Sequence, residues 1–273
     1  RGLRVVVDAA HGAAYAIAPA LLQELGATVH AVGCQPDGSN INDGVGATHL
    51  QTAQQALHTH QADVAIALDG DADRLQMVSA SGRVVDGDAL LYALAMERLA
   101  SGQPMPGVVG TLMTNQAVAD ALAKHDMALH RAPVGDRYVL EALLERGWVL
   151  GGEGSGHLLM LDKHTTGDGL VSALQVLHAM QRQGKTLDEL LQGLTLFPQY
   201  LKNVVLQGQA VQWQSHAPFQ QALTAAQQAV EGQGRVLVRA SGTEPLLRIM
   251  VEARDPDTAA SWAEALAQTL GSF

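Results

Sequence analysis

Cysteine is nearly absent. Cys34 is the single one in 273 residues, so no internal disulfide can form, and a reducing, cytoplasmic compartment is the expectation. With no helix N-terminus or basic context beside it, Cys34 reads as a small buried hydrophobe rather than a reactive thiol. Positive charge is also scarce. Seventeen Lys and Arg stand against 27 Asp and Glu, a formal net charge of −10. That balance argues against a general affinity for nucleic acid or an anionic membrane, and an anionic ligand would have to be held by a few local cations. No stretch approaches the ~20 consecutive apolar residues of a membrane span. The 28 glycines are dispersed, and 47% hydrophobic with 16% charged residues is the composition of an ordinary globular protein. The opening Arg1-Gly-Leu-Arg4, followed by Val5, Val6 and Val7, reads as a strand rather than a signal peptide. A start without methionine directly ahead of a strand raises the expectation that these residues belong to a longer protein.

The run Leu3–Val7 ends at Asp8, and the spacing of Ile17, Leu21, Leu22 and Leu25 predicts a helix stopping at Gly26. A strand over Thr28–Val32, a helix over Leu50–His60 and a strand over Val64–Leu68 complete an α/β pattern. After a helix over Asp88–Leu99, the stretch Ser101–Gly107 holds two prolines and two glycines that cannot continue it. The logic then repeats: strand Val108–Leu112, helix Gln116–His125, strand Leu129–Arg131, helix Arg137–Arg146, a strand near Trp148–Leu150 and a long helix Gly169–Gln183. Past Phe197-Pro198 the pattern predicts a strand Lys202–Leu206, a helix Pro218–Glu231, a hairpin Arg235–Ala253 and a last helix Thr258–Leu270. Three units are expected, over residues 1–102, 103–196 and 197–273: two α/β units and a small α+β one.

Three segments carry chemistry. Asp69-Gly-Asp71-Ala-Asp73-Arg74 sets three carboxylates at alternate positions after an apolar strand. Hard cations such as Mg²⁺ take oxygen ligands, and clustered carboxylates repel one another unless a cation neutralises them. An EF-hand loop from Asp69 would need glycine sixth and glutamate twelfth, where Arg74 and Ala80 stand; a solvated acidic turn is the plain alternative. Gly151-Gly-Glu153-Gly-Ser155-Gly-His157 offers close backbone approach together with an acceptor, a hydroxyl and an imidazole, a set suited to a sugar edge. For the segment read alone, a simple glycine-rich connection is the lesser alternative. In Arg239-Ala-Ser241-Gly242-Thr243-Glu-Pro-Leu-Leu-Arg248, a loop of phosphate-wrapping donors lies between strands that carry two arginines. An unliganded turn with surface arginines is the alternative there. Gly135-Asp136-Arg137 reads as an N-cap and a surface charge, Thr165–Gly169 as a turn feeding a helix, and Ser215-His-Ala-Pro218 as a turn before one.

These motifs, in this order, resemble those of the α-D-phosphohexomutases along essentially the whole chain. The resemblance implies domains two to four of that family: two α/β domains with mixed sheets, then a small α+β C-terminal domain. It implies Mg²⁺ on Asp69, Asp71 and Asp73, with catalysis assisted by His157, Arg74 and Arg137. Glu153 and Ser155 would hold sugar hydroxyls, while Arg239, Ser241, Gly242, Thr243 and Arg248 would hold a substrate phosphate. The flanking text Gly33–Asn42, Gly44–Thr48, Val134–Val139 and Asp162–Gly169 is most similar to the branch acting on glucosamine phosphates, with the phosphomannose and phosphoglucose branch next. The implied reaction moves a phosphoryl group between O6 and O1 of a phosphorylated amino sugar through a 1,6-bisphosphate. Its phosphoserine would lie in a preceding N-terminal domain, so these residues alone are expected to be inactive. A phosphosugar-binding module without turnover is the rival, and the intact acidic triplet speaks against it.

Overall fold

Val5, Val6 and Val7 are fully buried, as the middle of a strand covered on both faces must be. They belong to the first of two compact units in a computed structural model that describes residues 2–205, 213–241 and 246–270. The first unit comprises 1–114 and 118–194, the second 115–117 and 195–273. In the first unit β1 (Arg4–Asp8), α1 (Ile17–Glu24), β2 (Thr28–Val32), α2 (Gln51–His60) and β3 (Val64–Leu68) alternate. Two antiparallel strands follow, β4 (Leu75–Ser79) and β5 (Val84–Val85), giving the mixed order β2-β1-β3-β4-β5. Helix α3 (Gly87–Ala100) is buried along most of its length, and the Asp86 side chain caps it by accepting from the Ala89 amide.

A second mixed sheet in the same unit has the order β7-β6-β8-β9. It is built from β6 (Gly107–Thr111), α4 (Gln116–Ala123), β7 (Ala128–Ala132), α5 (Asp136–Arg146), β8 (Leu150–Gly152) and β9 (Leu158–Met160). The β8–β9 hairpin carries the glycine-rich segment. Helices α6 (Gly169–Gln183) and α7 (Leu187–Leu190) complete the unit. The stretch 103–106 connects α3 to β6 inside this unit. Strands β4, β5 and β9 and helix α7 are absent from the sequence-based element map.

The second unit holds β10 (Gln199–Val205), a 3₁₀ turn at Trp213–Ser215, α8 (Ala217–Ala229), β11 (Gly234–Ala240), β12 (Leu246–Ala253) and α9 (Pro256–Leu270). Its antiparallel sheet has the order β10-β12-β11. Alternation along β12 sends Leu247, Ile249 and Val251 into a core with Phe219, Ala226, Ala263 and Leu266. Both mixed sheets and the small α+β unit match the fold class read from the sequence. Among the described residues no helix is long and apolar enough to cross a membrane.

Candidate functional site

Strand β3 is buried throughout and delivers Asp69, 1% exposed, to a tight turn. The Ala72 amide donates to the Asp69 carbonyl at 3.0 Å, and Ala72 takes a left-handed conformation with φ 63° that costs a non-glycine residue some strain. Contacts on both sides repay this cost. The Gly70 carbonyl accepts from the Ala13 amide and the Ala72 carbonyl from the Gly169 amide, each at 2.8 Å. Gly12 is obligatory beside this turn, since a Cβ there would lie 2.2 Å from the Gly70 oxygen.

The turn gathers one ligand atom from each of Asp69, Asp71 and Asp73 within 4.8 Å of one another. Their burial is graded, from buried Asp69 to exposed Asp71. Arg74 answers part of this charge, with its amide 3.1 Å from Asp69 Oδ1 and its Nε 2.6 Å from Asp69 Oδ2. Burial opposes the Arg74 charge, but the carboxylates of Asp69, Asp73 and Asp71 outweigh it and raise its pKa. Burial, followed by the charges of Asp69 and Asp71, raises the Asp73 pKa, with His157 acting in the other direction. Asp73 Oδ1 is buried without a hydrogen-bond partner among the described residues. A carboxylate oxygen in that position, beside two other carboxylates, fits a hard divalent cation.

The glycine-rich hairpin joins this loop directly. Arg74 and His157 form an antiparallel bridge, and the Leu75 amide donates to the Gly156 carbonyl at 3.0 Å. His157, 6% exposed, sets Nδ1 3.2 Å from Asp73 Oδ2 and Nε2 3.9 Å from Asp136 Oδ2. Glu153 is turned toward α5, where its Oε1 accepts from the Gly135 amide at 2.9 Å. Ser155 is exposed at the tip. Asp136 is the first helical residue of α5, with Gly135 in the N-cap position. The sequence reading of Asp136 as the cap is corrected accordingly; its carboxylate faces the histidine. Arg137 is 80% exposed and pairs with Glu141 at 2.8 Å. Asp168 caps α6 by accepting from the Val171 amide, as a turn feeding a helix requires.

In the sequence Gly167 reads only as part of a turn feeding a helix. A Cβ there would lie 2.2 Å from His157 Nε2, so the backbone at 167 lies against the imidazole. Only the three-dimensional contact could have revealed it. Cys34 is half-buried, its Sγ donating to the Val32 carbonyl at 3.2 Å, and burial raises its thiol pKa, which disfavours the thiolate.

In the second unit, Arg239 and Arg248 stand directly opposite one another across β11 and β12, and Asn203 of β10 is in register on the other side of Arg248. Cross-strand partners share a face of the sheet, so two guanidinium groups and an amide form one row. Like charges placed so oppose folding unless an anion comes between them. The Ser241 amide donates to the Leu246 carbonyl at 2.9 Å, closing the hairpin. Gly242 and Thr243 lie outside the described residues. Ser215 ends the 3₁₀ turn before α8 and His216 occupies the N-cap position, consistent with a turn entering a helix.

Comparison with known proteins follows the same three segments. Family models described as phosphoglucomutase/phosphomannomutase match residues 1–82 as α/β/α domain II, 86–197 as α/β/α domain III and 201–269 as the C-terminal domain. A phosphoglucosamine mutase from Albidiferax ferrireducens is 60% identical over 271 residues, covering 99% of this chain and 61% of the relative. One from Methylibium petroleiphilum is 58% identical over 280 residues, covering 99% and 61%. The chain thus spans about 61% of the length of these curated relatives. Among solved structures, a phosphoglucomutase/phosphomannomutase family protein from Burkholderia thailandensis aligns with a TM-score of 0.80 at 24% identity, covering 100% of this chain and 61% of the other. An N-acetylphosphoglucosamine mutase from Aspergillus fumigatus, solved with GlcNAc-6P and magnesium, aligns at 0.74 and 23% identity, covering 98% and 66%. Matched along nearly all its length by three domain models of one family and by relatives at such identity, the chain belongs to the phosphoglucomutase/phosphomannomutase family of α-D-phosphohexomutases.

Proposed function

We propose that these residues form the metal-, sugar- and phosphate-binding parts of a phosphoglucosamine mutase, which interconverts glucosamine 6-phosphate and glucosamine 1-phosphate through a 1,6-bisphosphate. The observation that carries this reading is the hydrogen bond between buried His157 and Asp73. It joins the hairpin suited to a sugar to the loop suited to a cation. High identity to proteins named phosphoglucosamine mutase favours glucosamine over mannose or glucose phosphates.

In this reading Asp69, Asp71 and Asp73 hold Mg²⁺, which when bound neutralises charge on the transferring phosphoryl group. Arg74, pinned to Asp69, adds a fixed positive charge beside that group, and Arg137 at the start of α5 adds an exposed one. His157 is held through Nδ1 by Asp73, so Nε2 is the nitrogen able to exchange a proton with the attacking or leaving sugar hydroxyl. Glu153 and Ser155 orient the sugar. Arg239, Arg248 and Ser241, with Gly242 and Thr243, hold the phosphate that is not being transferred. Phosphoryl transfer depends mainly on such positioning and charge neutralisation.

The family resemblance puts the phosphoryl donor on a serine in a Ser-His-Asn-Pro loop, a sequence that these 273 residues do not contain. Turnover is therefore expected only when a phosphoserine domain is supplied. The test is an assay with glucosamine 6-phosphate, Mg²⁺ and a catalytic amount of sugar 1,6-bisphosphate, with and without a separately produced phosphoserine domain from a relative. Glucosamine 1-phosphate should form only when that domain is present. Turnover by the chain alone would refute this reading and direct attention to Ser215.

A further inference from the structure

Away from the acidic loop, the first unit contains a polar cavity of about 250 Å³ between α3 and α6, closed on one side by residues following β9. Two charges buried to 8% exposure form its floor, Glu97 and Arg98. Both are held by side-chain partners. Glu97 accepts from Arg182, Gln183 and Ser101, while Arg98 donates to Asp162 and Gln103. Buried ions satisfied in this way make a rigid base.

The cavity wall is different. Lys163 has only a loose 3.7 Å ion pair with Asp162 and its side chain is 41% exposed. Gln175 and His178, on one face of α6, line the same space, and neither has a hydrogen bond among the described residues. Lys163 and His178 are exposed and Gln175 is half-buried, so the wall offers side chains that can exchange water for a ligand's oxygens. The local charge is also unlike that of the chain. Among the lining residues Arg98 and Lys163 stand against Glu97, an excess of one positive charge in a protein whose net charge is −10. Roughly 20 Å of helix at 1.5 Å per residue separates the two ends of α3, whose first amide, Gly87, donates to the Gly154 carbonyl. The cavity is therefore distinct from the acidic loop and its histidine.

We infer that this cavity is a second ligand site, taking a small oxyanion, phosphate or carboxylate, with Lys163 as its charge partner and Gln175 and His178 as its hydrogen-bonding wall. The inference does not depend on the mutase reading.

The test is site-resolved amide NMR of the 273-residue chain, titrated with inorganic phosphate and separately with citrate. Amides of Ser101, Lys163 and Gln175 should shift along one saturating curve. Phosphate alone would assign the site to phosphoryl groups, citrate alone to carboxylates, and both to oxyanions in general. Lys163→Glu, at a partly exposed position that folding tolerates, should weaken the response about tenfold or more, the usual consequence of losing a charge-assisted bond. Shifts of Arg239, Ala240 and Leu247, which report phosphate at the arginine row, should be unchanged by that variant. Silence of the cavity amides with both ions, or equal response in Lys163→Glu, overturns the inference. Silence at the arginine row alone counts only against the phosphate clamp.

Discussion

Replacing Gly167 by alanine tests how tightly the histidine is held. The added carbon would lie 2.2 Å from His157 Nε2, 2.4 Å from Cε1 and 2.8 Å from Cδ2, whereas non-bonded heavy atoms settle at roughly 3.5–4.0 Å. The ring must move by roughly 1 Å or more to restore that separation. It is only 6% exposed and its Nδ1 is already 3.2 Å from Asp73, so movement breaks that bond or disturbs the packing behind it. Overpacking of this kind costs about 1–3 kcal/mol. Reduced backbone entropy in the unfolded chain returns about 0.4–1 kcal/mol, leaving a net loss of about 0–2.6 kcal/mol. Gly154→Ala is the control within the same loop system, because its nearest neighbours, the Asp88 carboxylate atoms, are at 3.5 Å, ordinary contact. Urea unfolding followed by circular dichroism should show a lower midpoint for Gly167→Ala and little change for Gly154→Ala. The His157 ring resonances should shift only in the former. Equal midpoints with unmoved ring resonances would show that the 167 backbone does not confine the imidazole.

Three further outcomes follow from the same geometry. Asp71→Asn removes one charge from the triplet at its exposed member, so calorimetry with Mg²⁺ or Mn²⁺ should show divalent affinity reduced at least about tenfold; equal affinity would exclude the triplet as the cation site. Arg248→Ala in a complete enzyme should lower kcat/KM by about 10- to 150-fold, the equivalent of one charge-assisted hydrogen bond of about 1.5–3 kcal/mol, and unchanged kinetics with both sugar phosphates would remove it from the clamp. Glu97 loses some solvation by burial, but Arg182, Gln183 and Ser101 more than compensate and hold its pKa below the usual 4.5. That contribution is complete above the ordinary value and disappears as the pH falls through the lower folded one. Glu97→Gln should therefore cost about 1–3 kcal/mol at pH 7 and progressively less as the pH falls below the ordinary value and through the lower folded one, read from denaturant midpoints; a penalty independent of pH would refute the ion-pair account.

Periodicity made the α/β order legible because helices such as α6 show one apolar stripe and the central strands β1 and β3 carry unbroken apolar runs. Strand β4 escaped because Leu75-Gln-Met-Val-Ser79 mixes polar residues into a wholly buried segment. Gln76 is accommodated by the distant Gly154 carbonyl and Ser79 by Ser81, partners that no local pattern announces. Strands β8 and β9 span three residues each, too short to establish an alternation. The acidic triplet was legible because its chemistry is contained in consecutive residues. The roles of Asp136 and Gly167 were not, since both depend on where the imidazole of His157 comes to rest. The two arginines were expected at the strand ends, but only the hairpin register places them face to face.

The acidic turn also has a place in the order of folding. Its geometry depends on an amide before α1, the amide that opens α6 and a histidine 84 residues beyond Asp73. Contacts so remote in sequence form late, after the loop-closure entropy of the intervening chain has been overcome. On the proposed reading of the triplet as a cation site, the ion is recruited only after these contacts have formed, so ions added during refolding should leave the rate of collapse unaltered while stabilising the finished product. A nascent or truncated polypeptide ending before α6 would carry all three aspartates and still lack a competent ion site.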